Sequence, residues 1–412
     1  MSAFDSIAPR PISRRDRNTQ RILQAAITIL ANEGWGLFSL TSVGREAGLS
    51  ERPVRDRAPS SAALAAQVWQ RRLGPELHSS LTTCLAAFEA ARHHGSTDEL
   101  RRAWLAAVER TTQSDAIGEI LVIAGYIPEV AAAVDAGLGE LIRVTTTPGA
   151  DVDPTLAARR AFVLAIALGL GLTNRAPGAR SEDLAATLDR QARVLLDETY
   201  PGIESLPRAR ADHMDTYPPL APDDPSLDAL LNTALELVAL RGVDQVTVRE
   251  IADAAGFSEG LVFSRYPTKT AMLVDAMRRQ LHYGWRVNFV FTQKLEERYG
   301  RAIADAIALR EATQPGRDVG RGMMLEEMRL AWHDPRTFLQ TMDLQEEFRM
   351  ESQKASPSPS LTSASEFHVS VATETGFVVL CRLNPDITTL PFLVGTRRLA
   401  DSTTTQISTP ST

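Results

Sequence analysis

The sequence predicts an all-α fold in which two similar helical units follow one another, and three observations carry that prediction. Composition is the first: 44% of residues are hydrophobic, 6% aromatic and 23% charged, the balance of an alanine-rich helical protein with enough apolar surface to bury a core. Length is the second, because 412 residues exceed what one core usually fills and suit two to four domains. The third is an internal repeat. The stretch "GLSERPVRDRAPSSAAL" at 48–64 and the stretch "GFSEGLVFSRYPTKTAM" at 256–272 lie about 208 positions apart. Arg21–Leu64 slides onto Ala229–Met272 without a gap at roughly 12 of 44 identical residues, among them Leu23, Ala26, Gly34, Ala47, Gly48, Ser50, Val54, Arg57 and Pro59.

The second copy reads most plainly. Leu230, Leu231, Ala234, Leu235 and Val238 fall at the spacing of a buried helical stripe, and Gly242 stops that helix. In "TVREIADAAG", Thr247 caps a short second helix, Glu250 reaches back to complete a capping box, and Gly256 supplies the left-handed residue that ends it. Phe257 fills the corner, Ser258 caps a third short helix, Pro267 ends it, and Thr268 caps a fourth. Two short helices joined by a tight glycine turn behind a longer helix make a helix-turn-helix. The first copy follows the same plan with Ile22, Leu23, Ala26, Ile27 and Leu30, then Ser39, Gly48, Ser50 and Pro59. Pro53 is tolerated there because it falls in the first turn of helix three, where its missing N–H has no intrahelical partner.

Both units resemble the DNA-binding domain of TetR-type (tetracycline-repressor-like) transcriptional regulators: a helix closing in Gly, a T-x-x-x-I-A-x-x-A-G second helix, and a third helix running into an aromatic, then Pro or a polar residue, then Lys. In the second copy Val246 to Gly256, Ser258, Gly260, Phe263, Arg265, Tyr266 and Lys269 follow that pattern, with Phe263 where the family usually has Tyr. In the first copy Arg55 replaces that Tyr, Ala58 the packing aromatic and Ser61 the Lys. Outside these units "EILVIAGYIPEV" (119–130), "MRLAWHDPR" (328–336), "FVLAIALGLGL" and "TGFVVL" are similar to the ligand-binding and dimerisation helices of the same family.

The implied organisation is a divergent helix-turn-helix domain at 1–78, a helical ligand-binding and dimerisation-like domain at 79–204, a proline-rich linker at 205–226, a second helix-turn-helix domain at 227–288, a second helical domain at 289–400 and a tail at 401–412. The resemblance implies a ligand-responsive repressor that binds a double-stranded DNA operator and an unidentified small-molecule effector, without a cofactor. Members of the family usually pair as homodimers and set two recognition helices about 34–36 Å apart in successive major grooves. A tandem chain would supply both heads as an intramolecular pseudo-dimer, with further pairing of chains left open.

The residues expected at DNA are Ser39, Thr41, Arg52, Arg55 and Arg57 in the first unit and Thr247, Arg249, Ser258, Gly260, Leu261, Phe263, Arg265, Tyr266 and Lys269 in the second. Thr247 and Arg249 open helix two, Ser258, Gly260 and Leu261 open helix three, and Lys269 opens helix four, where free N–H groups favour phosphate. Phe263 and Tyr266 read equally as packing between helices three and one, and Tyr266 is the better core candidate. Arg52 and Arg55 share a helical face, whereas Arg57 is turned about 160° from Arg55 and is expected at the helix end near a phosphate. An aromatic-to-alanine difference at Ala58 calls for compensation, with Trp35, Phe38 and Trp69 as candidates.

Charge bears on the partner. The chain carries a net −7 with a pI of about 5.6, so no global field draws it to nucleic acid. The first 72 residues nevertheless hold an excess of about five positive charges, whereas 222–286 sum to about −2, so the second unit would rely on a few placed groups. A solvated face paired with Glu51 and Asp56 is the competing reading of the arginines. The rival function is a small-molecule sensor or interaction scaffold that no longer binds DNA.

Other classes find little support. Cys84 and Cys381 are far apart and lack metal-ligand spacing, which suggests reduced buried thiols. The longest apolar run, Ala161 to Leu172, is short of the roughly 20 residues of a membrane helix, and no apolar signal core follows the first arginines, so a cytoplasmic location is expected. His93, His94 and "WHDP" at 332–335 lack ligand-spaced partners, and the glycines at 169–171 sit in a helical pattern with no strand before them. Met323, Met324, Met328 and Met342 suit core packing or an adaptable pocket. No nucleophile, base and orienter constellation is present, and an enzymatic role is not expected.

Overall fold

A computed structural model describes residues 13–149, 152–174, 183–198, 206, 220–314, 318–334, 343, 346–347, 349–350 and 364–396. Among them the structure is helical throughout, with a single isolated bridge between Gly149 and Val152. The tail at 401–412, Arg10, Met342 and most of 205–226 lie outside the described residues.

The amino-terminal head consists of α1 (Arg14–Asn32), α2 (Leu40–Glu46) and α3 (Glu51–Arg55). The next helix begins as α4 (Ser61–Val68), passes through a π turn at Trp69–Leu73 and continues as α5 (Gly74–His94). The body adds α6 (Asp98–Ala107), α7 (Thr112–Ile123), α8 (Pro128–Val134), a second π turn at Asp135–Gly139, α9 (Glu140–Thr146), α10 (Pro154–Thr173) and α11 (Asp183–Leu196). A second head follows as α12 (Pro225–Arg241), α13 (Val248–Ala255) and α14 (Glu259–Arg265). The long α15 (Lys269–Tyr299), α16 (Arg301–Thr313), α17 (Asp318–His333) and α18 (Ala364–Leu383) complete the order before a short helical turn at Leu393–Thr396. The domain divisions expected at 78 and 288 fall inside α5 and α15, so head and body share an unbroken helix on each side. At the end of the expected linker, Leu220 and Ala221 are buried and Pro225 already opens α12.

One large apolar core joins the first head, its body and α18, while the second head has its own core of α12, α13, α14 and the start of α15. Between the bodies α10 lies along α18, and glycine makes the approach possible. A Cβ on Gly169 would stand 1.6 Å from the carbonyl oxygen of Ala372, and one on Gly376 would stand 1.8 Å from that of Ala165. Phe162 of α10 meets Phe377 of α18 edge to face at 4.9 Å. With 20 residues, α10 is long and apolar enough to cross a membrane, beyond what the shorter run in the sequence suggested, but most of it is buried against other helices. The glycines at 169 and 171 are thus part of a packed helix. Cys84 and Cys381 are both free and buried, and burial pushes each thiol up to about 12.

Because the obstruction at Gly376 is backbone, a side chain there must separate the two helices. Gly376→Leu is expected to lower the unfolding free energy by about 1–3 kcal/mol or more, as overpacking does. Thermal denaturation reads this directly, and a melting temperature equal to wild type would contradict the close approach.

Candidate nucleic-acid interface

In the second head, local chemistry sets the geometry. Thr247 accepts the Glu250 N–H and Glu250 answers on the Thr247 N–H, closing the capping box at the start of α13. Hydrogen bonds from Arg241 and Thr247 hold the Glu250 carboxyl down to about 2. Gly256 takes φ +78° and turns the chain, and Ser258 then accepts the Leu261 N–H at 3.2 Å to start α14. Val262 is the buried anchor of that short helix, with Leu261 half-buried beside it, so Gly260 and Phe263 face outward and Phe263 is 49% exposed. Tyr266 is half-buried and donates to Asp275 at 2.6 Å, a packing role. Arg265 pairs with Asp224 at 2.5 Å at the end of α14. Arg249 is open, with its side chain 80% exposed and 3.7 Å from Asp253.

Lys269 is placed differently from the expectation. Its ammonium donates to the carbonyls of Val243 and Val246 at 2.9 Å each, and burial pulls its pKa down. Two of its three donors therefore hold the turn after α12.

The first head departs further. Ser39 caps α2 in a box with Ser42, and Thr41 donates to Glu51 at 2.5 Å. Glu51 also pairs with Arg55, yet Arg55 remains 61% exposed and Arg52 is exposed on the same helix. Arg57 turns inward, donating to the Thr19 hydroxyl at 3.0 Å and to the carbonyls of Arg15 and Pro53. It ties the end of α3 to α1 where a phosphate contact was expected. Ala58 is fully buried in the same core as Trp35, Phe38 and Trp69, and Trp35 stacks on Phe38 at 5.4 Å.

Behind the heads lies a buried charge cluster that the sequence did not reveal. Glu119 of α7 accepts the Trp35 N–H at 2.6 Å, and Glu326 of α17 accepts the Val243 N–H at 3.0 Å, so each carboxylate holds the turn after one head's first helix. Arg329 lies between them, 2.9 Å from each, and reaches Asp244 at 2.7 Å. His333 lies 3.2 Å from Glu119. Gly34 leaves room for His333 and Gly242 for Tyr126, each with φ +77°, while Gly36 faces Asp244 across the gap between the heads. Burial opposes ionisation of Glu119, but Arg329, His333 and the Trp35 amide outweigh it and hold the carboxyl down to about 2. The same carboxylates keep Arg329 charged against its own burial. The signal in the sequence was slight: a single Glu opening the otherwise apolar "EILVIAGY" and another in α17.

Residues 230–276 match the family model for bacterial regulatory proteins, tetR family. The match begins in α12 and ends in α15, spanning the second head described above. No curated protein matches the chain. The match supports a TetR-type, DNA-binding transcriptional regulator and coincides with the head whose caps and turn follow the family pattern. Among the described residues no group of three or more His, Cys, Asp or Glu is arranged to hold a metal ion.

Two contrasts follow from this geometry. Lys269→Ala strips the donor from two carbonyls and is expected to cost about 1–3 kcal/mol of stability, whereas Arg249→Ala should leave stability within about 0.5 kcal/mol and weaken binding to a cognate duplex. Chemical denaturation and DNA titration of both variants separate the two roles, and equal stability losses would remove the distinction. Glu119→Gln breaks a buried pair and should destabilise by about 3 kcal/mol near neutral pH. With a folded pKa near 2 and an ordinary unfolded carboxylate pKa, the Glu119 contribution is present above about pH 4.5 and lost as pH falls toward 2. The variant's deficit should shrink over that window, and a deficit independent of pH would contradict the ionised pair.

Proposed function

We propose that the chain is a ligand-responsive transcriptional repressor in which two TetR-type units are fused, so that one polypeptide presents both DNA-reading heads as an intramolecular pseudo-dimer. The observation that carries the reading is reciprocity. Gly169 meets Ala372 while Gly376 meets Ala165, His333 meets Gly34 while Tyr126 meets Gly242, and Glu119 holds Trp35 as Glu326 holds Val243. Within each set the partners recur about 207 or 208 positions apart; the first two sets cross between the halves, which is how a contact between two equivalent surfaces reads when both lie in one chain, and the third repeats one contact inside each half. Gly36 and Asp244, equivalent positions in the two heads, face each other.

On this reading the second head reads DNA through Thr247, Arg249, Ser258, Gly260, Leu261 and Phe263, with Arg265 and Lys269 fixing the ends of α14 and α15. The first head contributes charge, through Arg52 and Arg55, more than shape. The divided response suits an asymmetric operator. A small molecule bound in a helical body would act by shifting the spacing of the two heads, to the extent that it prefers one arrangement. A cytoplasmic location follows from the same reading.

Arg57 turned inward and Arg55 paired with Glu51 favour a second reading, in which the first head is only a scaffold. Salt titration of binding to a duplex from the gene's own upstream region tests both. Each neutralised phosphate contributes about 0.9 to the log–log salt slope, so Arg52→Ala with Arg55→Ala should flatten the slope by about one to two units. An unchanged slope leaves the first head a scaffold, and the absence of any salt-dependent duplex binding by wild type would leave the chain a sensor that does not read DNA.

A further inference from the structure

The two heads carry opposite charge at the same place, the amino end of the first helix. In the first head that end is fixed on three sides. Arg57, just past α3, donates to the Arg15 carbonyl at 3.2 Å and to the Thr19 hydroxyl at 3.0 Å. Arg72 donates to Gln20, and Arg21 donates to the carbonyls of Ala47 and Gly48 in the turn between α2 and α3. Arg14 and Arg15 open this fixed helix, both are exposed, and neither side chain has a partner among the described residues. The carboxylate of the same turn, Asp16, accepts the Ser13 hydroxyl at 2.7 Å. Under the shift of 208 positions Arg14 answers to Pro222 and Arg15 to Asp223. Asp223 is exposed, and beside it Asp224 closes the junction with α14 by pairing with Arg265 at 2.5 Å.

Position gives this difference a consequence. The carboxyl end of α1 points to the second head, because Gly36, just beyond it, stands against Asp244. At 1.5 Å per residue, the 19 residues of α1 set its amino end about 28 Å away, on the side turned from the second head. The same end touches the carboxyl end of α3 through Arg57. A major groove about 12 Å wide is filled by one helix, so a basic pair beside the end of that helix meets the phosphate strand that borders the groove.

We infer that Arg14 and Arg15 hold the DNA backbone outside the groove occupied by α3, so that the chain covers more duplex at the first head's edge of its site than at the second's. The inference deepens the proposed regulator and rests on its DNA-binding reading. The contact is distinct from that of Arg52 and Arg55, which lie on α3 itself. It goes to phosphate, so it adds affinity whatever the flanking bases are. A helix start already tied to α3, to its turn and to Arg72 presents the two guanidiniums from a fixed base, and Asp223 repels phosphate at the opposite edge.

Hydroxyl-radical footprinting of the full chain on a duplex from the gene's own upstream region, with a salt titration on the same duplex, tests this. The wild-type footprint should extend further at one edge than at the other. Arg14→Ala with Arg15→Ala should remove that extension, keep the central protection, and flatten the log–log salt slope by about one to two units, at about 0.9 per phosphate. Its melting temperature should equal that of wild type, because neither side chain has a partner to lose. Asp223→Arg should extend the footprint at the opposite edge and steepen the slope by about one unit. Central protection with edge and slope unchanged in Arg14→Ala with Arg15→Ala overturns the flanking contact alone and leaves the DNA-binding reading intact. No protection of the duplex by wild type overturns both.

Discussion

The arrangement depends on one buried cation. Arg329, 3% exposed, stands between Glu119 from one half and Glu326 and Asp244 from the other. Burying ions costs several kcal/mol each and is returned only when geometry is close and the remaining hydrogen-bonding positions are filled. Here they are filled by backbone, since Glu119 and Glu326 each accept the amide that follows a head's first helix. The cluster therefore serves less as a source of net stability than as a register. If either head rotated on its body, an amide would leave its carboxylate and an uncompensated charge would remain inside.

The two heads meet that constraint with different interiors. The second fills the space behind α14 with Tyr266, whose hydroxyl needs and finds Asp275. The first has Ala58 there, fully buried in the core that also holds Trp35, Phe38 and Trp69, and lacks that polar anchor. Gln67 supplies a different tie, donating to the Arg57 carbonyl at 2.6 Å. With Arg57 committed to α1, the exposed charge of α3 rests on Arg52 and Arg55.

Close approach of α10 and α18 is the second condition for the assembly. Gly169 and Gly376 remove side chains where the opposing carbonyls of Ala372 and Ala165 lie, and the surrounding aromatics Phe162, Phe377 and Phe392 fill the flanks edge to face. The apolar length of α10 is thereby spent inside the protein.

By itself the sequence determined the local elements, since those are set by short-range chemistry. Thr247 with Glu250, Gly256, Ser258 and Thr268 define three helix starts and a turn through bonds that span three residues or fewer, and each stands where its pattern indicates. Aligned residues also carry the expectation of a repeat with a divergent first copy. Partnership was decided only in the tertiary structure. Nothing in a helical stripe says that Arg57 and Lys269 will turn to carbonyls 42 and 26 or fewer residues away, or that Glu119 and Arg329, 210 positions apart, will share a buried bond. A charged side chain on a helix looks alike whether it meets solvent, phosphate or a distant carboxylate, and the difference arises from which surfaces the packing of α10 on α18 brings together.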